Sequence, residues 1–264
     1  MDTPSGSGSG GPSGGPLAGS AWDAIFQDLG AHIASHMPEP GGSWAPLLLT
    51  CRPWSRARPA RLRIVYAGWD SAQSPPLPPS LLTSLPTSLR ELRMRLCRVR
   101  GGWGFLERLT NLRTLDLYDV ADLDDEVVRQ MCGMDNLRRL TALAMDGADR
   151  LTDAAARLVS ESMPDLVDLN AAWWNITDGG LAHICNLSKL EHLRVGCVIE
   201  NERDRNFTRQ GYHELLRLEQ LKTLRIEEPG LEWRADDAGH PLAALLERGV
   251  AVWPGPAPAG PEVL

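Results

Sequence analysis

Apolar residues recur along this chain of 264 residues in one repeated figure: two leucines three positions apart, then a third apolar residue two positions on. It reads Leu89-Leu92-Met94, Leu112-Leu115-Leu117, Leu140-Leu143-Met145, Leu166-Leu169-Ala171, Leu190-Leu193-Val195 and Leu221-Leu224-Ile226, at intervals of 23–31 residues, with a weaker Leu62-Ile64 ahead of them. Residues two apart on a strand point the same way, so the second and third apolar residues enter an interior and the first caps that layer. One such unit cannot cover its own apolar face, so neighbours must stack. Each figure therefore predicts a short strand, a turn and a helix on the opposite side. Strand units are expected to start near residues 59, 89, 112, 140, 166, 190 and 221. An eighth, degenerate strand is expected at Val250-Ala251-Val252, after a helix over 241–248 that Gly249 can terminate.

The residues after the strands sharpen this reading. Leu123-Asp124-Asp125, Leu151-Thr152-Asp153, Ile176-Thr177-Asp178 and Phe207-Thr208-Arg209 stand at one relative position. They precede predicted helices over 126–131, 154–159, 179–184 and 210–218. A Thr or Asp oxygen there accepts backbone N–H groups left over at a helix start, and an acid suits the helix dipole. Cys97 holds the buried ninth position of its repeat, where later repeats carry Val120, Ala148, Trp174, Val198 and Pro229. The period is that of leucine-rich repeats. Over about residues 89–230 the chain resembles their cysteine-containing subfamily, best known from F-box proteins. The resemblance implies an α/β fold, a leucine-rich-repeat solenoid (a right-handed β-α horseshoe) spanning 58–253, which binds rather than catalyses.

The N-terminal part reads differently. Residues 1–20 are nearly all Gly, Ser and Pro, which cannot bury enough apolar surface to offset chain entropy; a disordered tail is expected there, and another over 254–264. Ile25, Leu29, Ile33 and Met37 recur every four residues and predict a helix that Asp23 caps and Pro38, Pro40 and Gly41-Gly42 end. A second short helix is expected from Ala45 to Ala57, although Pro53 falls inside it. Residues 67–80 look like a loop. Ile25, Asp28, Leu29, Ile33, Met37, Pro38, Cys51, Arg52 and Trp54 fit an F-box pattern, while Phe26, Gly30 and Pro53 depart from it, so residues 22–57 resemble a degenerate F-box. That resemblance implies a substrate receptor of an SCF-type (cullin–RING) ubiquitin ligase. Ile25, Leu29, Ile33 and Pro38 would then meet the Skp-type adaptor and, through it, the cullin, while the repeats hold the substrate. The alternative is that these helices cap the open end of a stand-alone repeat scaffold of a cytoskeletal or ciliary assembly.

Charge and composition narrow the partners. The net charge of −7 argues against nucleic acid. No apolar run reaches the length of a membrane span, and the N-terminus carries no secretory signal. Five cysteines without a Cys-x-x-Cys suggest free thiols in a reducing compartment, hence a cytoplasmic, nuclear or cytoskeletal protein rather than a secreted ectodomain. His32 and His36 lie one helical turn apart but lack a third ligand, and no Gly-x-Ser-x-Gly or phosphate loop occurs, so no catalytic residue, metal or cofactor is expected. A protein partner on the concave strand face is expected instead. That face is basic at its N-terminal end, acidic in the middle, and mixed over His192, Arg194, Thr223, Arg225 and Glu227. Arg93, Arg95, Asp116, Tyr118, Asp146, Asp168, Asn170 and Arg194 are the expected contacts, since Arg and aromatic residues anchor interfaces. Trp173 and Trp174 fall near the edge of this face.

Overall fold

The computed structural model describes residues 48–51, 60–65, 76–196, 207–227 and 239–254. The N-terminal half of these contains strands β1 (Leu48–Cys51), β2 (Arg61–Val65) and β3 (Pro76–Leu77), helix α1 (Pro79–Ser84), then β4 (Glu91–Arg95), β5 (Arg98–Val99) and β6 (Thr114–Asp116). There follow α2 (Asp125–Cys132), β7 (Ala142–Ala144), α3 (Asp153–Ser162), β8 (Asp168–Ala172), α4 (Asp178–Ile184) and β9 (His192–Gly196). The last elements are α5 (Arg209–Glu214), β10 (Thr223–Glu227), α6 (Pro241–Glu247) and β11 (Ala251–Pro254). Short 3-10 turns at Gly104–Arg108, Asp135–Arg139 and Leu215–Arg217 complete the convex layer.

The strands form one nine-stranded sheet in the order β1-β2-β4-β6-β7-β8-β9-β10-β11, parallel from β2 onward. Register follows the leucines: Leu92 lies opposite Leu115, Leu115 opposite Leu143, Leu143 opposite Leu169, Leu169 opposite Leu193, and Leu193 opposite Leu224. These leucines, and those three positions earlier, are buried in one continuous core. Val128 and Met131 of α2, Val159 of α3, Leu181 and Ile184 of α4, and Leu242 and Leu245 of α6 close it from the convex side. This is an α/β stack of strand–helix repeats on one parallel sheet, with its strands where the leucine pattern predicts them. Among the described residues no helix is long and apolar enough to cross a membrane.

The caps hold, and they do more than cap. Asp124, Thr152, Thr177 and Thr208 accept the N–H groups of Val127, Ala154, Gly179 and Gln210 at the starts of α2 to α5. The acid after each cap reaches forward to the next repeat. Asp125 accepts both the backbone N–H (2.9 Å) and the hydroxyl (2.6 Å) of Thr152. Asp153 takes the same pair from Thr177, at 2.8 and 2.6 Å, and Asp178 from Thr208, at 2.9 and 2.5 Å. Three bidentate bridges thus join successive helix starts. A Cβ at Gly211 would collide with the Asp178 carboxylate, so the bridge requires glycine there. The series changes where Arg209 replaces the acid: Arg209 donates to the Gly239 carbonyl, and His240 caps α6.

Several expectations are corrected. The helix expected over 45–57 is not formed at Leu48–Cys51, which is a strand antiparallel to β2, with Leu49 opposite Ile64 and Cys51 opposite Leu62. Pro46 and Pro53 bracket a run too short for a stable helix, and the open edge of β2 offers a hydrogen-bonding ladder. The loop expected over 67–80 ends earlier, since Pro76–Leu77 pairs with Arg98–Val99 and Pro79 starts α1. Proline suits the first helical turn because no N–H is needed there. The helix expected over 210–218 divides into α5 and a 3-10 turn, and the last strand runs on to Pro254. The adaptor residues Ile25, Leu29, Ile33 and Pro38, the Gly/Ser/Pro tail and His32 and His36 lie outside the described residues.

Trp174, large for a ninth position, is fully buried, and its indole N–H donates to the Met145 carbonyl at 2.9 Å. The third inward position of its own repeat is Ala171 rather than Leu or Met. A small residue there offsets the volume of the indole, as close-packed interiors require. Cys97 and Cys185 are buried, and burial pushes both thiols up to about 12. Asp119 adds to the shift at Cys97, whereas Arg217 opposes it at Cys185. Both behave as small apolar core residues.

The bridges between helix starts are open to a direct test. Asp153→Ala leaves the Thr177 amide without its partner and is expected to lower stability by about 1–2 kcal/mol, the worth of a charged hydrogen-bond pair at a partly exposed site. Urea unfolding should show a lower midpoint with an unchanged slope. An unchanged midpoint would show that the bridge carries no stability.

Candidate functional site

Side chains on either side of the inward leucines point out from the concave sheet, and parallel register aligns them in rows. One row runs Arg63, Arg93, Asp116, Ala144, Asn170, Arg194, Arg225, Trp253, one residue per strand from β2 to β11. A second row, nearer the strand starts, includes Glu91, Thr114, Ala142, Asp168, His192 and Thr223. Tyr118 and Asp146 follow the ends of β6 and β7, and Glu227 ends β10.

At the N-terminal end Glu91 sits between Arg61 (3.0 Å) and Arg93 (2.7 Å). On the next strands Arg95 donates to the Asp116 carboxylate through Nε (3.0 Å) and Nη2 (2.7 Å). The other Asp116 oxygen accepts the Tyr118 backbone N–H at 3.2 Å. The Arg95 guanidinium lies over the Tyr118 ring, 5.4 Å from its centre, a cation–π contact that orients the phenol.

The centre of the face holds Asp146, 3% exposed and, with Asp116, one of two buried charged residues among those described. Burial pushes the Asp146 carboxyl up to about 6; Arg194, 3.8 Å away, opposes the shift, and Asp116 adds to it. Arg194 makes a shorter pair with Glu227, at 2.6 Å from Nη2 and 2.8 Å from Nε. The other Glu227 oxygen accepts the Trp173 indole N–H at 3.3 Å. Gly196 lets the Glu227 main chain approach: a Cβ at Gly196 would strike the Glu227 backbone, and its φ of 153° is poorly suited to other residues.

After four of the inward triplets the chain turns through a left-handed residue: Leu96 (φ 54°), Asp119 (47°), Gly147 (81°) and Trp173 (70°). Glycine takes this conformation freely, whereas a bulky aromatic pays about 1–2 kcal/mol for it. Trp173 nonetheless stands there and is 44% exposed. Tyr118, at 37%, and Trp253, at 47%, are the other large apolar side chains exposed among the described residues. All three stand on the concave face or at its margin.

Between β8 and β11 the face sinks into a hollow of about 220 Å³, lined by Asp168, Asn170, His192, Leu193, Arg194, Thr223, Arg225 and Trp253. His192 Nδ1 and the Thr223 hydroxyl are 2.7 Å apart, and the Asn170 side-chain oxygen accepts the Ala172 N–H. Partial desolvation raises the Asp168 carboxyl, with His192 opposing.

The structure thus divides the expected contacts. Arg93 belongs to the N-terminal ion pairs, whereas Arg95, Asp116 and Tyr118 form one cluster. Asp146 and Arg194 form another, and Arg194 shares the hollow with Asp168 and Asn170. Tyr118 links the two, its phenol pushed up by burial and by Asp146. Glu227, Arg225, His192 and Trp253 were not singled out from sequence, although the first three were legible as concave-face positions. Period two from Ala251 would have placed Trp253 on the same face. Among the described residues no group of three His, Cys, Asp or Glu could hold a metal ion.

No family model matches the sequence. No curated protein matches it either. Among solved structures the chain is similar to an internalin from Listeria monocytogenes, with 21% identity and a TM-score of 0.41, over 69% of this chain and 45% of that one. The chain therefore spans less than half the length of that structure.

The raised Asp146 carboxyl fixes a pH dependence. Between about pH 4 and about 6 the folded chain holds this proton while the unfolded chain has lost it, so stability falls as pH rises through that window. Below pH 4 both states are protonated and the difference vanishes. Asp146→Asn is therefore expected to be more stable than the wild type by about 1–3 kcal/mol at pH 7, and equal to it near pH 4. Urea unfolding from pH 4 to 8 checks this; a variant less stable than wild type at pH 7 would contradict it.

Proposed function

We propose that this chain is a non-catalytic protein-binding scaffold that receives a partner protein on its concave sheet. The observation that carries this reading is Trp173: a left-handed, exposed tryptophan where Gly147 occupies the matching turn one repeat earlier. Strain of that kind persists where a side chain is needed in place, and exposed aromatics beside fixed Arg–carboxylate pairs have the make-up of an interface centre. Tyr118 and Trp253 stand on the same face. Arg93, Arg95, Asp168, Asn170 and Arg194 are the polar contacts proposed around them; Asp116 and Asp146, expected as contacts, are buried and instead hold Arg95 and Arg194.

The finer role turns on residues 22–57. Their F-box resemblance supports a substrate receptor of an SCF-type ligase, with Ile25, Leu29, Ile33 and Pro38 on the Skp-type adaptor. Strand β1 supports the stand-alone scaffold, because it covers the edge of β2 with a short antiparallel strand drawn from residues 22–57. We favour the scaffold on that ground. Pull-down with a purified adaptor, using the wild type and the Leu29→Asp, Ile33→Asp double variant, is expected to show no retention of either. Retention of the wild type alone, with the repeats folded by circular dichroism in both, would establish the ligase reading instead.

Trp173→Gly tests the concave face. Glycine relieves the left-handed turn, so thermal stability is expected to hold or to rise by up to about 1 kcal/mol. Partner protein recovered by cross-linking from the source cells is expected to fall at least tenfold for this variant. Undiminished recovery would place the binding surface elsewhere.

A further inference from the structure

Most arginines of the concave face bring their own carboxylate. Arg61 and Arg93 share Glu91, Arg95 has Asp116, and Arg194 has Glu227. Arg225 does not: among the described residues its side chain has neither an ion pair nor a hydrogen bond, yet it lines the hollow between β8 and β11. It lies in register with Arg194 on the neighbouring strand. Adjacent strands run about 5 Å apart, and both carboxylates near this pair, Glu227 at 2.6 Å and Asp146 at 3.8 Å, are on Arg194. Like charges directly opposite repel, and Arg225 has no carboxylate of its own among the described residues to offset this.

The rest of the hollow also offers donors. The Asn170 side-chain oxygen is taken by the Ala172 N–H, which leaves its NH2 group to donate. Trp253, next in the row after Arg225, supplies an exposed apolar wall. A planar guanidinium with free N–H groups fits a carboxylate through two parallel bonds. Asp168 stands on the same lining, so a singly charged carboxylate on Arg225 is favoured over a phosphate, whose second charge Asp168 would repel more strongly. Size points to the class of ligand. The hollow, about 220 Å³, falls below the roughly 300–1,000 Å³ of small-molecule sites and is of a size for a single side chain.

We propose that this hollow receives one aspartate or glutamate side chain from an extended segment of the partner protein, with Arg225 as its bidentate donor and Trp253 packing against its stem. The proposal rests on the concave-face reading above and names the residue that this end of the face selects.

The test is selection of random seven-residue peptides displayed on phage against the full-length chain. Affinity is then measured for the best peptide and for its Asp→Asn or Glu→Gln counterpart. Each is titrated against the wild type, Arg225→Gln and Trp173→Gly, with folding checked by circular dichroism. One position fixed as an acid is expected. Loss of that acid and Arg225→Gln should each weaken binding roughly tenfold, as for a charged hydrogen bond. The two together should cost little more than either alone, because they remove the same contact. The proposal is overturned if no peptide is selected, if no acidic position emerges, or if the two losses add independently. Peptides that lose affinity with Trp173→Gly but not with Arg225→Gln would leave the concave-face reading standing and remove this inference alone. Peptides indifferent to both would remove both.

Discussion

Parallel, in-register stacking of each repeat on the next is the constraint on which everything else in this protein depends. A buried leucine contributes about 1.5–3 kcal/mol, and each ordered residue costs about 1–2 kcal/mol of backbone entropy, so a lone repeat with a few inward residues cannot hold itself folded. Stacking brings every inward leucine under its neighbours, and the core runs unbroken from Leu62 to Val250. The sheet fixes register on the concave side. On the other side it is fixed by the bridges from Asp125, Asp153 and Asp178 to the threonine that caps the next helix. A helix cap that also serves as an inter-repeat bolt ties local helix formation to tertiary alignment.

Alignment on both sides explains the site. Because strands cannot slip, outward side chains fall into rows, and charges alternate across strands in fixed pairs: Arg95 with Asp116, Arg194 with Glu227. The unfavourable features gather in one place. Asp146 is buried with its carboxyl raised, and Trp173 sits in a left-handed turn. Both adjoin the Arg194–Glu227 pair. Locally costly residues grouped on one face, with the remainder of the molecule regular, are the pattern expected where selection has acted for binding rather than for stability.

Sequence and structure agree where burial is written into local spacing. The leucine triplets place the strands, and the Thr-Asp pairs place the helix starts, because both depend on residues only a few positions apart. What could not be read depends on partners distant in sequence. Leu48–Cys51 becomes a strand because β2 leaves an open edge, which no local pattern announces. Asp153 reads as a dipole partner, and only the stacking of repeats turns it toward Thr177. Trp174 looks too large for its turn until Ala171 is counted as a smaller inward neighbour. On the concave face, Arg95, Asp116 and Tyr118 were legible because strand alternation turns them away from the leucine core. Glu227, Arg225 and Trp253 gain their roles from contacts made across strands.

Amide hydrogen exchange on the wild-type chain tests the account most directly. If the acid–threonine bridges lock the stack, the backbone N–H groups of Thr152, Thr177 and Thr208 will exchange as slowly as those of Leu143, Leu169 and Leu193 in the strands, although they lie at the starts of helices near solvent. Exchange at the rate of an open loop at all three positions would mean that the convex edge is unfastened, and that the sheet alone aligns the face on which binding is proposed.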